Sequence, residues 1–298
     1  MRVFRRAAMN KVIRIIFFLT VAMLIYVLLP TYNEPPTEES IIFFPIDPNV
    51  KFSQATTTLS LHPNKINGQY VLGWNVSSNL DRKAYLRQDI SLLFANGRLK
   101  GIASKWKENS QIIVQEKDIE LKDSQLFQAI SFHHGEIHEN SSIKSSQKMS
   151  GDQIFVVDSA HHPLASFRTA KTSWEKEWEK VLTKTTNEFV AYKTNQLINH
   201  YSIQTSKYHR YYLSDLINYN EKPFPGISID KTKKIVGNLW EGLYKNYFLG
   251  IKKSDGTIVS PIGSTMPAVL ISKDFSHLKV LFETKDGTKM LLVQQISY

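Results

Sequence analysis

The stretch "DISLLFANGRLKGIASKW" (residues 89–106) decides the architecture. Two apolar runs flank Asn96-Gly97. Both central residues of a type I′ turn need φ > 0, which Asn and Gly tolerate best, so the segment reads as an antiparallel hairpin. Upstream, "YVLGWNV" (70–76) alternates, placing Tyr70, Leu72, Trp74 and Val76 on one face. Downstream, "IIVQEKDIEL" (112–121), "QLFQAISFHH" (125–134) and "DQIFVVD" (152–158) read as three further strands.

The period changes near residue 172. Thr172-Ser-Trp-Glu175 is a capping-box pattern, in which hydroxyl and carboxylate each satisfy a backbone N–H of the other residue. Trp174, Trp178, Val181, Leu182, Phe189 and Tyr192 then recur at helical spacing to about His200. A second helix is expected over 228–248, with Ile235, Leu239, Leu243 and Tyr247 on one face and Gly250 as its stop. Asp255-Gly256 and Asp286-Gly287 mark turns, and residues 276–296 form a terminal hairpin. Strands, then helices, then strands give an expected class of α+β. The expected architecture is an N-terminal transmembrane helix followed by an extracytoplasmic domain with mostly antiparallel sheet and two or three helices.

The N-terminus carries the topology. "VIRIIFFLTVAMLIYVLLPTY" (12–32) approaches the ~20 apolar residues that a bilayer requires, with the Arg14 stem free to snorkel. Arg2, Arg5, Arg6, Lys11 and Arg14 all lie ahead of its uncharged apolar core, Ile15–Leu29, whereas Glu34, Glu38 and Glu39 follow it. The positive-inside rule then places residues 1–11 in the cytoplasm and everything beyond about residue 32 outside. A cleaved signal peptide shares these features, but Pro30, Thr31, Tyr32 and Asn33 offer no small-x-small cleavage site, so a retained anchor is expected. "NEPPTEES", "FPIDPN" and "SQATTTLS" make residues 33–66 an expected stalk, leaving 67–298 as the folded domain.

Composition removes several function classes. The 298 residues include no cysteine, which excludes disulfides, thiol nucleophiles and iron–sulfur ligation. Five of the ten net positive charges belong to residues 2–14, and the remaining +5 forms no basic block, so nucleic acid is not an expected partner. Any metal would be held by His, Asp and Glu, a set that suits a divalent ion.

Such a set is suggested by "SFHHGEIHENSS" (131–142) and "VDSAHHP" (157–163). Continued strand alternation puts His134, Glu136 and His138 on one face. Imidazoles four residues apart on a strand stand roughly 13 Å from each other, too far for one ion. A turn at Gly135, or ligands from Asp158, His161 or His162, would have to complete a metal or acid/base site. Two solvated polar connections are the simpler reading of the same residues. A second candidate surface is "YHRYY" (208–212), because Tyr208, Tyr211 and Tyr212 beside His209 and Arg210 cannot all be buried on one helix face. Ser141-x-x-Lys144 and Ser145-x-x-Lys148 match a penicillin-recognising element, but its companion motifs are missing. No phosphate-binding loop, dinucleotide fingerprint or serine-nucleophile elbow occurs.

"HHGEIH" (133–138) and "NLWEGLYKNYFLGIKK" (238–253), taken with the N-terminal segment, resemble a family of uncharacterised single-pass membrane-anchored proteins of Bacillus-type Gram-positive bacteria. The resemblance covers roughly residue 70 onward. It implies location and lineage, and carries no activity onto particular residues.

Together these readings lead to a non-enzymatic binding domain at the outer membrane face. It would be tethered to the bilayer through residues 12–32 and would contact a cell-wall polymer or an envelope protein. A His/carboxylate metal-dependent hydrolase is the alternative, in which the ion lowers the pKa of bound water.

Overall fold

The computed structural model describes residues 44–66, 68–139, 142–160 and 162–296. The first six strands are β1 (Phe52–Ile66), β2 (Gln69–Ala95), β3 (Arg98–Leu121), β4 (Gln125–Glu139), β5 (Ser142–Ser159) and β6 (His162–Phe167). All their pairings are antiparallel, in the order β1-β2-β4-β5-β6, with β3 along the other edge of β2.

The central hairpin is β2–β3. It reverses at Asn96 (φ 47°) and Gly97 (φ 76°), the turn that the sequence marks. Each strand is far longer than its hydrophobic patterns suggest, because β2 changes partners along its length. Residues 69–80 pair with β1, and residues 85–95 pair with β4. Register shifts between Asn79 and Ala84 and between Ala84 and Leu86 bend the hairpin at this point. Such bulges add an unmatched residue and let a strand turn sharply. The sheet thereby folds over on itself. Leu59, Leu72 and Trp74 from the first half pack against Leu93, Phe127, Ile154 and Val156 from the second.

Folding over leaves two seams where strand edges face each other without a continuous ladder, and charged side chains close both. Along β3, the Lys105 ammonium donates to the Val114 carbonyl (2.7 Å) and Lys117 to the Ile102 carbonyl (2.9 Å). Along β1, the Leu59 N–H donates to Asp152 (2.8 Å) and Arg168 donates to the Leu59 carbonyl (2.6 Å). Exposed backbone edges invite further strand pairing, and charges placed on them blunt it.

The remaining chain covers the outer face of the second layer. Helix α1 (Ser173–His200) is followed by β7 (Tyr208–Tyr212), α2 (Ile229–Leu243) and a π-helical turn at Tyr244–Phe248. The short pair β8 (Ile251–Lys252) and β9 (Ile258–Val259) precedes β10 (Ala268–Ser272), β11 (His277–Glu283) and β12 (Lys289–Gln295). These last three join β7 in a four-stranded antiparallel sheet ordered β12-β11-β10-β7. Ile90, Leu92 and Phe94 face this second core with Trp240 and Val280, while Leu93 and Ala95 face the first. A strand buried on both faces explains the unbroken apolar run of "LLFA" (92–95).

The α+β expectation is overturned: the fold is dominated by antiparallel sheet. The two α-helices hold 28 and 15 residues, whereas β2 and β3 alone hold 27 and 24. The helix expected over 12–32 lies outside the described residues, and among the described residues no helix is long and apolar enough to cross a membrane. Within the expected stalk, Phe52–Ile66 is β1, and Pro45 and Asp47 exchange backbone hydrogen bonds with Ser145 on β5. Thr57 and Leu59 point inward from that Thr-rich run, so its polarity marks one face of a strand.

Helix α1 begins with the expected capping box, Thr172 Oγ1 accepting from the Glu175 N–H (3.2 Å) and Glu175 accepting from the Thr172 N–H (2.8 Å). Its buried stripe differs from the aromatic one expected. Leu182, Thr186, Val190, Thr194 and Leu197 face inward, whereas Val181 and Tyr192 are 54% and 59% exposed. Small β-branched side chains let the helix lie close to the sheets, with Leu182 against Phe155 and Leu197 against Leu270 and Leu281.

Candidate binding cleft

On β4, alternation sends neighbouring histidines to opposite sides, and the two sides have different chemistry. His134, Glu136 and His138 share one face, as their spacing requires. Glu136 is the hub. It accepts from Arg87 of β2 at 2.5 Å, lies 3.3 Å from His138 Nε2 and 3.9 Å from His134 Nδ1. Arg87 stands opposite His134, and Tyr85 opposite Glu136, in the β2–β4 register, so the bent part of β2 delivers the guanidinium to the carboxylate. The Glu136 side chain is only 9% exposed. A carboxylate held that far from water requires a cation, and the charge-assisted pair with Arg87 supplies one.

Arg87 thus takes the place that the sequence reading offered to a metal. Among the described residues, no group of three or more His, Asp or Glu side chains is disposed to hold an ion. The second half of the expected ligand set is also elsewhere. His134 pairs with Gln147, while Gln125 at the opposite end of β4 pairs with Val156. Asp158 therefore sits about eleven ladder positions from His134, on the order of 30 Å at ~3.3 Å per residue. His162 begins β6 at that far end, with its ring 5.0 Å from that of Trp174. His161 lies outside the described residues. Strand register places Asp158 and His162 toward the opposite end of the β4–β5 ladder from His134, Glu136 and His138.

Around Glu136 opens a cleft of about 850 Å³, bounded by Tyr85, Arg87, Trp106, Glu136, His138 and Tyr244. Its rim is aromatic. Trp106 is 59% exposed and lies against Tyr85 (centroids 5.7 Å apart, planes at 34°), and Tyr85 in turn lies 6.5 Å from His138. Trp106 stands three residues before Asn109 of β3, whose backbone is left-handed (φ 46°). Behind Arg87 and Tyr244 lies a smaller chamber of about 30 Å³, walled by Ile90, Phe132, Trp240, His134 and Gln147. The His134 ring stacks on Phe132 (6.0 Å, 22°), which stacks on Trp240 (5.6 Å, 17°). Burial, reinforced by the Arg87 charge and opposed by Glu136, pushes the His134 pKa down to about 4.

His133 faces the other way, into the fold between the two layers, and is fully buried. Its Nδ1 lies 2.6 Å from Ser78 Oγ and its Nε2 lies 2.6 Å from Ser150 Oγ. Gln88 donates to Ser78 (2.7 Å), Ser150 and Thr57 are 2.6 Å apart, and Thr57 donates to Ser131 (2.8 Å). One direction of donation runs through the whole chain: Gln88 to Ser78, Ser78 to His133 Nδ1, His133 Nε2–H to Ser150, then Thr57 and Ser131. This requires a neutral imidazole protonated at Nε2. Desolvation, with a smaller contribution from Lys148, lowers the His133 pKa to about 3. The sequence reading passed over this residue. Its signal was the scatter of Ser and Thr at inward-facing positions of β1, β2, β4 and β5.

The "YHRYY" surface dissolves in the structure. These residues form β7, whose alternating side chains enter cores on both sides. Tyr208 bonds His277 (2.8 Å), His209 stacks on Phe275, and Tyr211 packs on Tyr219 and Phe224. Tyr212 joins the core beside α1, and only Arg210 is exposed, donating to Asn195 (3.4 Å). The surplus of aromatics arose from assuming a helix; a strand has two faces to bury. Ser145 of the Ser-x-x-Lys match is likewise structural, fully buried and donating to the Phe44 carbonyl (2.8 Å). No family model, curated protein or solved structure matches this chain.

Proposed function

We propose that this protein is a non-enzymatic binding domain of the cell envelope that holds a saccharide-bearing wall polymer in the cleft beside Glu136. The observation that carries the reading is Trp106: a 59% exposed indole braced by Tyr85 at the rim of an 850 Å³ cleft. Large exposed aromatics are costly to leave in water and mark binding surfaces. A sugar ring offers an apolar C–H face for such a platform, and hydroxyls for the Arg87–Glu136 pair at the cleft floor. Opposite charges in that pair let it both donate and accept while remaining neutral overall, which suits an uncharged polyol.

The apolar run at 12–32, with cations before it and carboxylates after it, supports tethering this domain at the outer membrane face. Bilayer contact through that run and wall-polymer contact through the cleft would then serve one attachment role.

Cosedimentation of the full chain with insoluble cell-wall polysaccharide tests the reading. Trp106→Ala is expected to weaken binding about tenfold or more, in line with the ~2 kcal/mol typical of an aromatic hot spot. Retention equal to that of the unaltered protein would overturn it.

A further inference from the structure

The small chamber behind Arg87 and Tyr244 contains two polar atoms that the fold leaves without partners. His134 Nδ1 and Gln147 Oε1 are buried and make no hydrogen bond among the described residues. Both residues border the chamber, and they are directly opposed in the β4–β5 ladder. The Gln147 amide orientation is fixed, since its Nε2 donates to the Lys233 carbonyl at 2.6 Å. Oε1 is therefore an acceptor with nothing to accept from. Burying such an atom unsatisfied costs about 1–3 kcal/mol, and two adjacent instances mark a position built to receive something.

Size and chemistry narrow the occupant. A volume of about 30 Å³ exceeds the ~10–15 Å³ that one water requires, and leaves room for a group of two or so heavy atoms. The walls of Ile90, Phe132 and Trp240 are apolar. Arg87, which also lines the chamber, is already neutralised by Glu136. The carboxylate on the wall, Glu241, lies 4.0 Å from the Lys245 ammonium, so an ion entering the chamber would lose its hydration to charges that already have partners. A hydroxyl meets both orphaned atoms at once, donating to Gln147 Oε1 while its lone pair accepts from His134 Nδ1–H, with its carbon against the aromatic wall.

We propose that this chamber is a hydroxymethyl subsite of the cleft, which selects hexose-type rings carrying a primary alcohol arm over pentose-type rings lacking one. The proposal rests on the saccharide reading of the cleft. Arg87 and Tyr244 wall both spaces, so a ring stacked at the rim would direct its arm between them.

Two measurements on the full chain separate the subsite from the reading beneath it. In the first, ethane-1,2-diol is titrated while the ring signals of isotope-labelled His134 are followed by NMR. A saturable shift is expected in the unaltered protein and in Trp106→Ala, and its loss is expected in Gln147→Met. A linear or absent shift in the unaltered protein overturns the subsite, whatever the cleft binds. The second compares a soluble hexose oligosaccharide with its pentose counterpart of equal length. The hexose chain is expected to bind about tenfold tighter, matching ~1–3 kcal/mol for a buried group left unpaired. Equal binding of both overturns the subsite and leaves the cleft reading standing. Failure of either sugar to bind, with a saturable diol shift, overturns the cleft reading and confines the chamber to small alcohols.

Discussion

Lowering the pH from 7.5 to 5 is expected to destabilise this protein through His133, and the magnitude follows from its surroundings. The buried ring is neutral, with a pKa lowered to about 3, whereas an unfolded chain restores it to ~6.5. Between those values the unfolded state binds the extra proton. Stability is therefore complete above pH 6.5 and is lost as the pH falls toward 3. Linkage gives a loss of about 2 kcal/mol at pH 5, with a limiting slope of ~1.4 kcal/mol per pH unit below that. His134, lowered to about 4 for the same reason, contributes a similar loss down to its own pKa. The assay is urea unfolding at several pH values between 7.5 and 5, for the unaltered protein and for His133→Gln. Glutamine can still donate to Ser150 but does not titrate. The unaltered protein is expected to lose about 4 kcal/mol from the two histidines together, and the variant about 2 kcal/mol. Carboxylates titrate in both proteins and cancel in the difference. Parallel pH dependences for the two would refute the neutral, chain-bridging histidine.

Gly97→Ala is expected to lower the thermal midpoint markedly, by more than about 2 kcal/mol of stability. The added Cβ would stand 2.4 Å from Val190 Cγ2 at a φ of +76°; a change within 0.5 kcal/mol would contradict the observed closeness of turn and helix. On α1, Val181→Lys is expected to leave the urea midpoint nearly unchanged, whereas Val190→Lys, at a position 4% exposed, should cost several kcal/mol. Comparable losses from both would restore the aromatic stripe as the buried face.

Much of the local structure was legible. Asn96-Gly97, Asp286-Gly287 and Thr172-x-x-Glu175 act within four residues of chain, and the structure turns or caps at each of them. Helices α1 and α2 begin and end close to the expected bounds, because terminal hydrogen bonds are properties of neighbouring residues, although the face that α1 buries is not the aromatic one. The polar stretch "SSNLDRKAYLRQ" (77–88) was illegible as strand. Its Ser78 and Gln88 are buried, but their partners are His133 and the Ile113 carbonyl, 55 and 25 residues away. Polarity in a single sequence reads as exposure unless the distant group that satisfies it is known.

The same division holds for the site. Alternation along β4 by itself set His134, Glu136 and His138 on one face and His133 on the other, since a strand's period is two. Which side chains from other strands would surround Glu136 depended on tertiary structure. The β2 bend brought Arg87 to it, and the β4–β5 register carried Asp158 and His162 to the far end. The sequence determined which backbone shapes were available and which side chains shared a face, because those follow from sterics and period within a few residues. Strand pairing across tens of residues decided which of those faces would meet, since register depends on the bulges and partner changes of the whole sheet.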